Sequence, residues 1–380
     1  MKKIIFITVT SCLLLVACGG GKKQNSDSRQ SAKLSGTTNA NNDLQKERIY
    51  GSVDSVRQRV YWCLEKFGRM EKGRLQNLPQ YDFLKVFDKY GFLTEEIHYN
   101  SEDKVISRKT ITYNDAHQPL IEDIFKGDEL DEHIVYTYDE KMKLAKKEKF
   151  GKDNALKEKV QYIYYKDSGL LMDEDWYKSD GTTLSLKYVH LYENTLLSEK
   201  QKYWGGGSLA QKEYYTHDDK ENLILYTSEK YQNQTVSFDK QISYSDFDSF
   251  GDYHEKITYD NQGDEIAKSM YIYDKYGNLT MYQNLEKKYV EAVEQIYNEN
   301  ENTGNEETDI DTDEENTDED DNDENSDDVI NNGWWELKSG ESYSYEYDSF
   351  NNWTQKITYK ITSESERTRQ FYYERKYHYR

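Results

Sequence analysis

The sequence predicts an all-β protein, built as an elongated antiparallel meander or solenoid of repeated β-hairpins. Three observations lead to this fold class. The 380 residues include 36 Tyr but only 2 Pro, a turn motif recurs along the chain, and the segments between the turns alternate as β-strands do. Apolar residues make up 35% of the chain, below the roughly 45–50% of ordinary globular proteins. One thick apolar core is therefore not expected.

The turn motif consists of an aromatic residue, a few polar turn residues and an aliphatic residue. Its clearest copies are Phe87–Leu93 and Tyr273–Leu279. Asp or Asn at the turn start can accept hydrogen bonds from the following backbone, and Gly or Asn supplies the positive φ of a tight hairpin. A looser second turn, such as Tyr99–Val105, lies between successive copies. The full repeat is therefore about 25 residues long and holds two strands.

The segments between the turns read as half-buried strands. Val105–Tyr113 and Leu130–Tyr138 alternate and are rich in β-branched and aromatic residues, and the hairpin-sized turns predict antiparallel neighbours. Glu148 and Glu158 fall in the middle of strands, on the face that should be apolar. This pattern favours a thin, elongated sheet with aromatic stripes, in which each repeat contacts only its neighbours.

The Tyr-Asp-x-x-Gly-Asn-Leu copies resemble YD repeats of the Rhs type. The whole layout also resembles a group of Bacteroidota lipoproteins with such repeats, through the start Ile49–Val53 with Phe67-Gly68 and the end Tyr347–Tyr359. The resemblance covers roughly residues 49–298 and 334–380. It implies a repeat architecture and indicates little about function. Rhs toxins add a large shell and a toxin domain, for which this chain is too short, so no toxin activity is expected.

The N-terminus resembles a lipoprotein signal. A basic start, Met1–Lys3, precedes an apolar run, Ile4–Val16, of signal-peptide length. The run ends in Leu-Val-Ala-Cys-Gly at positions 15–19, which resembles the bacterial lipobox. The resemblance implies that residues 1–17 are removed and that Cys18 carries the lipid. A plain secretory signal with a chance cysteine is the alternative.

Lipidation at Cys18 would hold the protein on a membrane, since two or more acyl chains anchor stably. Gly19 after the cysteine resembles the residue pattern of lipoproteins that are sent to an outer membrane. The sequence leaves open whether the protein lies on the cell surface or on the periplasmic face of that membrane. The segment 18–48 is Gly-, Ser- and Asn-rich and predicts a flexible tether. Cys12 leaves with the signal, so Cys63 remains without a disulfide partner, and its apolar neighbours predict a buried, inert thiol.

An acidic insert is predicted at residues 299–333, between two strand patterns of the repeat domain, 49–298 and 334–380. Its first 30 residues hold 17 Asp or Glu and no Lys or Arg, which predicts a disordered loop. Asp309, Asp311 and Asp313 alternate as in calcium loops, but the Gly and closing Glu of an EF-hand are missing. Weak, diffuse attraction of divalent cations is the alternative to a specific calcium site.

The sequence lacks the motifs of common active sites. It has no nucleophile elbow, phosphate loop or zinc motif, and its seven His are scattered. We therefore predict no catalytic residues, no metal site and no cofactor. A pI of about 4.8 also argues against nucleic acid as a partner, because phosphate binding needs clustered basic residues.

The aromatic residues carry the functional prediction. Trp176, Tyr177, Tyr203 and Trp204 could form a platform that stacks on sugar rings, whereas the alternative is that these rings pack between repeats. We predict a membrane-anchored lipoprotein whose repeat domain is a non-catalytic binding or scaffolding surface for a glycan or a protein partner. An envelope spacer protein is the alternative, and an enzyme with an unrecognised site is the least favoured.

Overall fold

The computed structural model describes residues 42–232, 235–288, 334–363 and 366–380. Within them, one short helix precedes a series of β-strands. The elements are α1 (Asp43–Lys46), β1 (Val53–Lys66), β2 (Arg69–Leu75), β3 (Phe83–Phe87), β4 (Leu93–Tyr99), β5 (Val105–Tyr113), β6 (Pro119–Lys126), β7 (Glu129–Tyr138), β8 (Leu144–Gly151), β9 (Leu156–Tyr164), β10 (Leu171–Tyr177), β11 (Leu184–Glu193), β12 (Leu196–Trp204), β13 (Leu209–His217), β14 (Leu223–Gln232), β15 (Thr235–Phe247), β16 (Tyr253–Tyr259), β17 (Glu265–Tyr273), β18 (Leu279–Lys288), β19 (Trp334–Tyr347), β20 (Trp353–Ile361) and β21 (Arg367–Tyr379).

The recurring turns form as their residues predict. In the turn between β17 and β18, the Asp274 carboxylate accepts hydrogen bonds from the backbone N–H of Tyr276 at 2.8 Å and of Asn278 at 2.9 Å. Gly277 between them has a φ of +79°, a conformation that glycine adopts without steric cost. Each strand from β3 to β20 pairs antiparallel with the next one. The all-β class and the hairpin repeat are therefore confirmed.

The strands close into a barrel. One edge of β1 pairs with β21, from Val53 opposite Tyr379 to Trp62 opposite Phe371. The other edge pairs with β3, where Ser55 lies opposite Val86. β1 and β3–β21 thus form a closed ring of 20 strands. β2 pairs with the remaining part of β1 and extends this edge as a hairpin.

The prediction of an open, elongated meander or solenoid is therefore wrong. Each strand of a sheet is rotated relative to its neighbour because the sheet twists. Over 20 strands this rotation coils the sheet and brings the first and last strands together. Closure also pairs the backbone groups that an open sheet would leave exposed at its edges. With strands about 4.8 Å apart and tilted as in other barrels, the ring is roughly 40 Å across.

The N-terminal segment identifies the inner face of the ring. Leu44 of α1 is buried in a cluster with Val53, Val56, Phe87 and Leu93, against which Ile111 of β5 packs. From the same segment, Arg48 binds Asp252 at 2.6 Å and the Gly277 carbonyl, beside β16 and β18. Contacts to such distant strands place this segment inside the ring. We call the strand face that it touches the lumenal face, and the other the outer face.

Asn42–Arg48, which belong to the predicted 18–48 tether, lie inside the ring. Asn42 caps α1 by accepting a hydrogen bond from the Gln45 N–H at 2.9 Å. The segment lies at the rim formed by the turns β3–β4, β15–β16, β17–β18 and β19–β20, which we call the helix-side rim. The predicted acidic insert lies outside the described residues, as do residues 1–41.

Both faces of the sheet carry charged pairs at mid-strand. On the lumenal face, Lys109 lies 3.3 Å from Glu96, and Lys149 lies 2.7 Å from Glu132. Outer-face pairs join neighbouring strands in the same way; they are Arg108–Glu95, Lys187–Asp173 and Lys212–Glu199. Neither face therefore presents a continuous apolar surface. Among the described residues, no helix is both long and apolar enough to cross a membrane.

Candidate functional site

The four aromatic residues predicted to form a platform divide between the two faces. Trp176 and Trp204 lie on the lumenal face, where both are opposite Leu186 of β11. Tyr177 and Tyr203 lie on the outer face, where Tyr203 is opposite Lys187 and Tyr177 is opposite Leu184. The structure thus brings them together as two pairs and not as one surface. Adjacent residues of a strand point to opposite faces, so this division follows from their positions in β10 and β12.

These rings contact side chains of their own and neighbouring strands. The Trp176 indole N–H donates to the Glu174 carboxylate at 3.3 Å, and the Tyr177 hydroxyl donates to Gln161 at 2.8 Å. The Lys202 ammonium lies 5.1 Å from the centre of the Trp204 ring. Trp204 nevertheless remains half exposed, at 51%. A sugar-stacking role for these rings stays a prediction.

The other predicted residues give a mixed result. Cys18 and the calcium candidates Asp309, Asp311 and Asp313 lie outside the described residues. Cys63 is half-buried at the sheet extension, with its sulfur 3.7 Å from that of Met70, and burial raises its pKa. In the described ranges, no group of three or more His, Cys, Asp or Glu is arranged to hold a metal ion.

A cationic and aromatic cluster lies on the lumenal face where the ring closes. It combines residues from both ends of the chain: Gln58 of β1, Phe83 of β3, Trp353 and Lys356 of β20, and Tyr373 and Arg375 of β21. We call this group the seam cluster. Strand pairing assembles it, because Lys356 lies opposite Tyr373, Arg375 opposite Gln58, and Gln58 opposite Phe83.

Lys356 is surrounded by aromatic rings. Its ammonium lies 4.3 Å from the centre of the Tyr373 ring, 5.5 Å from that of Tyr343 and 5.6 Å from that of Trp353. Among the described residues it has no hydrogen bond or ion pair. Burial, reinforced by the nearby positive charge of Arg375, lowers the pKa of Lys356 to about 8. The rings stabilise the charged form through cation–π attraction but do not neutralise it.

Arg375 is the second cation of the cluster. Its guanidinium lies 3.9 Å from the centre of the Trp353 ring and 5.9 Å from that of Phe83. Its Nε donates a hydrogen bond of 2.8 Å to the Gln58 side-chain oxygen. Gln58 is buried, and its amide donates in turn to the Tyr81 carbonyl at 2.8 Å. A neutral amide therefore orients the guanidinium where a carboxylate would ordinarily pair with it.

The seam cluster differs in this respect from other cations of the lumen. Lys85 contacts Glu47 and Glu96, and Lys109 and Lys149 have carboxylate partners of their own. In the seam cluster two positive charges share one indole ring, and no carboxylate within the described part of the chain pairs with either of them. Chemically, the arrangement attracts an anion and offers ring faces for stacking.

A second feature of the lumen is a concave cavity of about 740 Å³ between α1 and strands β4–β9. Tyrosines line it in a regular pattern. The Tyr113 hydroxyl donates to the Leu93 carbonyl at 2.6 Å, and the Tyr138 hydroxyl to the Pro119 carbonyl at 2.7 Å. Each hydroxyl thus joins the last residue of one strand to the first residue of the strand that precedes it in the chain. This repeated bond gives a structural reason for many of the tyrosines.

The seam cluster could not be recognised in the sequence. Lys356 begins the segment Lys-Ile-Thr-Tyr, and the same four residues occur at Lys256–Tyr259, where they are part of an ordinary repeat. Nothing local distinguishes the two copies. Only the pairing of β21 with β1 brings Gln58 and Arg375 together, 317 positions apart.

Comparison with known proteins gives weak matches only. No protein-family model and no curated protein matches the sequence. A Photorhabdus luminescens Tc holotoxin pore matches with 12% identity and a TM-score of 0.32, covering 78% of this chain and 15% of that chain. A TcdB2–TccC3 structure matches with 11% identity and a TM-score of 0.32, covering 81% and 16%.

A porin-like protein from Bacteroides uniformis is also similar, with 8% identity and a TM-score of 0.30 over 86% of this chain and 96% of that chain. In contrast, the chain spans only about a sixth of the length of the two toxin chains that it matches. Likeness at these TM-scores carries no argument about function.

Proposed function

We propose that this protein is a lipid-anchored, non-catalytic binding barrel of the bacterial outer membrane, and that its lumen binds a glycan. The observation that carries the proposal is the composition of the lumenal face. Tyrosine rings, lysines and carboxylates line it in place of a packed apolar core, and they surround a cavity of about 740 Å³. Concave sites with a few convergent polar groups are where ligands usually bind.

The chemistry of the lumen suits sugars. A sugar ring offers an apolar C–H face together with hydroxyls that both donate and accept hydrogen bonds. Aromatic rings present flat apolar area to the first, while neighbouring polar groups serve the second. On the lumenal face Tyr136 lies beside Glu122, to which its hydroxyl donates at 3.1 Å, and Trp176 lies beside Glu174. Each pair combines a ring with a carboxylate.

The outer face supports anchoring by lipid at Cys18 instead of by the strands. A charged side chain facing lipid costs about 2–4 kcal/mol at the middle of a bilayer. The outer face carries Arg108–Glu95, Lys187–Asp173 and further ion pairs at mid-strand. We propose that the barrel stands in water beside the membrane, and that the chain is related to the YD-repeat lipoproteins of Bacteroidota.

Glycan binding can be tested with the full chain, extracted from membranes in mild detergent, against an array of bacterial and plant polysaccharides. Trp176→Ala on the lumenal face and Tyr177→Ala on the outer face form a matched pair, because the two residues are adjacent in β10. We expect saturable binding of at least one polysaccharide, weakened tenfold or more by Trp176→Ala and less than twofold by Tyr177→Ala.

Circular dichroism and melting temperature serve as controls for folding of both variants. Binding that falls equally in the two variants would contradict a lumenal site. The absence of binding to every polysaccharide, together with specific cross-linking to one envelope protein in cells, would replace the glycan with a protein partner.

A further inference from the structure

The seam cluster brings two positive charges close together. Lys356 and Arg375 both contact the Trp353 ring, at 5.6 and 3.9 Å from its centre. Neither has an ion pair among the described residues. The nearest carboxylate on the neighbouring strand, that of Glu341, accepts a hydrogen bond of 2.6 Å from the Tyr343 hydroxyl. Glu341 therefore acts on Lys356 through space and forms no ion pair with it among the described residues.

The side chains around these two cations are buried and held in place. Gln58 is 4% exposed and Tyr373 is 7% exposed. Gln58 orients the guanidinium through Nε, and the Tyr377 side chain also hydrogen bonds with Arg375, while no carboxylate of the described residues pairs with its terminal nitrogens. A planar fork beside an ammonium matches the oxygens of a carboxylate or a sulfate. The rings of Trp353 and Tyr373 provide apolar faces next to this charged group.

We propose that the seam cluster binds the anionic group of an acidic glycan, with Arg375 and Lys356 contacting its carboxylate or sulfate and the Trp353 ring contacting the sugar that bears it. The inference rests on the proposed glycan-binding function and names the class of glycan. A bound anion supplies the negative charge that the described residues do not place beside Arg375 and Lys356. The acidic group therefore provides most of the selectivity, and the sugar alone provides less.

The anion and the proton on Lys356 are linked. A bound anion favours the charged ammonium, so binding weakens as pH rises and this proton is lost. Several groups face Lys356: Glu341, Tyr343 and Tyr345 from β19, and Tyr373 and Arg375 from β21. Burial raises the pKa of all three tyrosines, so they stay neutral at pH 9.5. Lys356 is therefore the group in the cluster that titrates between pH 7 and 9.5.

The test compares glycans that differ only in charge. Tetragalacturonate and its methyl ester share their rings, and a sulfated galactan oligosaccharide is paired with its desulfated form. The full chain in detergent is titrated with each by calorimetry at pH 7. We expect one acidic member to bind at least tenfold tighter than its neutral counterpart, and the arm that shows this preference identifies carboxylate or sulfate.

The variants assign that preference to the cluster. Lys356→Met and Arg375→Met should each reduce it at least fivefold, while Lys356→Arg should keep it. Lys360→Met is the matched control, because Lys360 is an exposed lysine on the same face of β20, and it should change affinity less than twofold. Raising the pH from 7 to 9.5 should weaken acidic-glycan binding at least fivefold in the native protein and less than twofold in Lys356→Met.

Three results would overturn the inference. The first is equal binding of the acidic and neutral glycans. The second is a preference for the acidic glycan that survives both Lys356→Met and Arg375→Met, and the third is a loss of this preference in Lys360→Met as large as in those two variants. In the first case the proposed glycan-binding function stands and only the class of glycan is wrong. If no glycan of either charge binds, the proposed function fails as well.

Discussion

Replacing Lys356 by Met should stabilise the protein at neutral pH. The variant keeps an unbranched side chain of similar length and removes a charge that the fold holds among rings without a carboxylate. The pKa of Lys356 falls from 10.5 to about 8, and this difference corresponds to about 3 kcal/mol at 1.36 kcal/mol per pH unit. Partial exposure and cation–π attraction reduce the gain, so we expect about 1–2 kcal/mol.

The sign of the pH dependence follows from proton linkage. Between pH 8 and 10.5 the unfolded chain holds a proton on this lysine that the folded chain has lost, so the stability of the native protein rises with pH in this window. Lys356→Met lacks this rise. The advantage of the variant should therefore be full below pH 8 and should disappear by about pH 10.5.

Urea unfolding of the two proteins at several pH values between 7 and 10.5 measures the difference directly. Lys360→Met, an exposed substitution on the same strand, should show a difference near zero at every pH. A Lys356→Met variant that is less stable than the native protein at pH 7 would contradict this prediction. A difference in the free energy of unfolding that does not change with pH would contradict it as well.

Three further predictions concern the N-terminal segment, the lumenal charges and the anchor. Leu44→Ala should cost about 2–4 kcal/mol of local stability, seen as faster hydrogen exchange in residues 42–52 with the strands unchanged; equal exchange would contradict docking inside the ring. The hydrogen bond from His98 lowers the pKa of Glu96 to about 2, so Glu96→Gln should destabilise by about 1–3 kcal/mol above pH 4.5, with a difference that vanishes as pH falls towards 2. A constant difference in acid would disprove this role. Cys18→Ser should move the protein from the membrane fraction to the soluble fraction, and continued membrane attachment would exclude lipid anchoring there.

The local structure was predictable because it depends on neighbouring residues. The Asp274–Asn278 turn needs only an Asx hydrogen bond and a positive φ at Gly277. The predicted strand Val105–Tyr113 coincides with β5 because alternation and β-branched residues are local signals. The charges at mid-strand, such as Glu148, are also visible in the sequence, where they indicate a thin sheet.

The closed ring was not predictable in the same way. It depends on β1 pairing with β21, and no local pattern marks Val53–Trp62 as the partner of Phe371–Tyr379. The seam cluster depends on that same pairing, so it was missed together with the closure. Strand alternation places Trp176 and Tyr177 on opposite faces, and rings that are neighbours in the sequence do not reveal this division.

Thiol cross-linking between β1 and β21 shows whether the ring of strands is closed. Ser55 and His378 lie opposite each other in β1 and β21, so their Cα atoms should be about 5 Å apart. In an open sheet of 20 strands the two would be separated by roughly 90 Å. A Ser55→Cys/His378→Cys pair in a Cys63→Ser background, treated with a short bismaleimide, therefore distinguishes the two folds.

A closed barrel predicts rapid cross-linking within one molecule, identified by mass spectrometry as a peptide pair that joins β1 to β21. A Ser55→Cys/Ser185→Cys pair, with the second residue on β11 at the far side of the ring, should remain unlinked. Failure of the 55–378 pair to cross-link within one molecule, while both thiols still react singly with maleimide, would contradict the closed barrel.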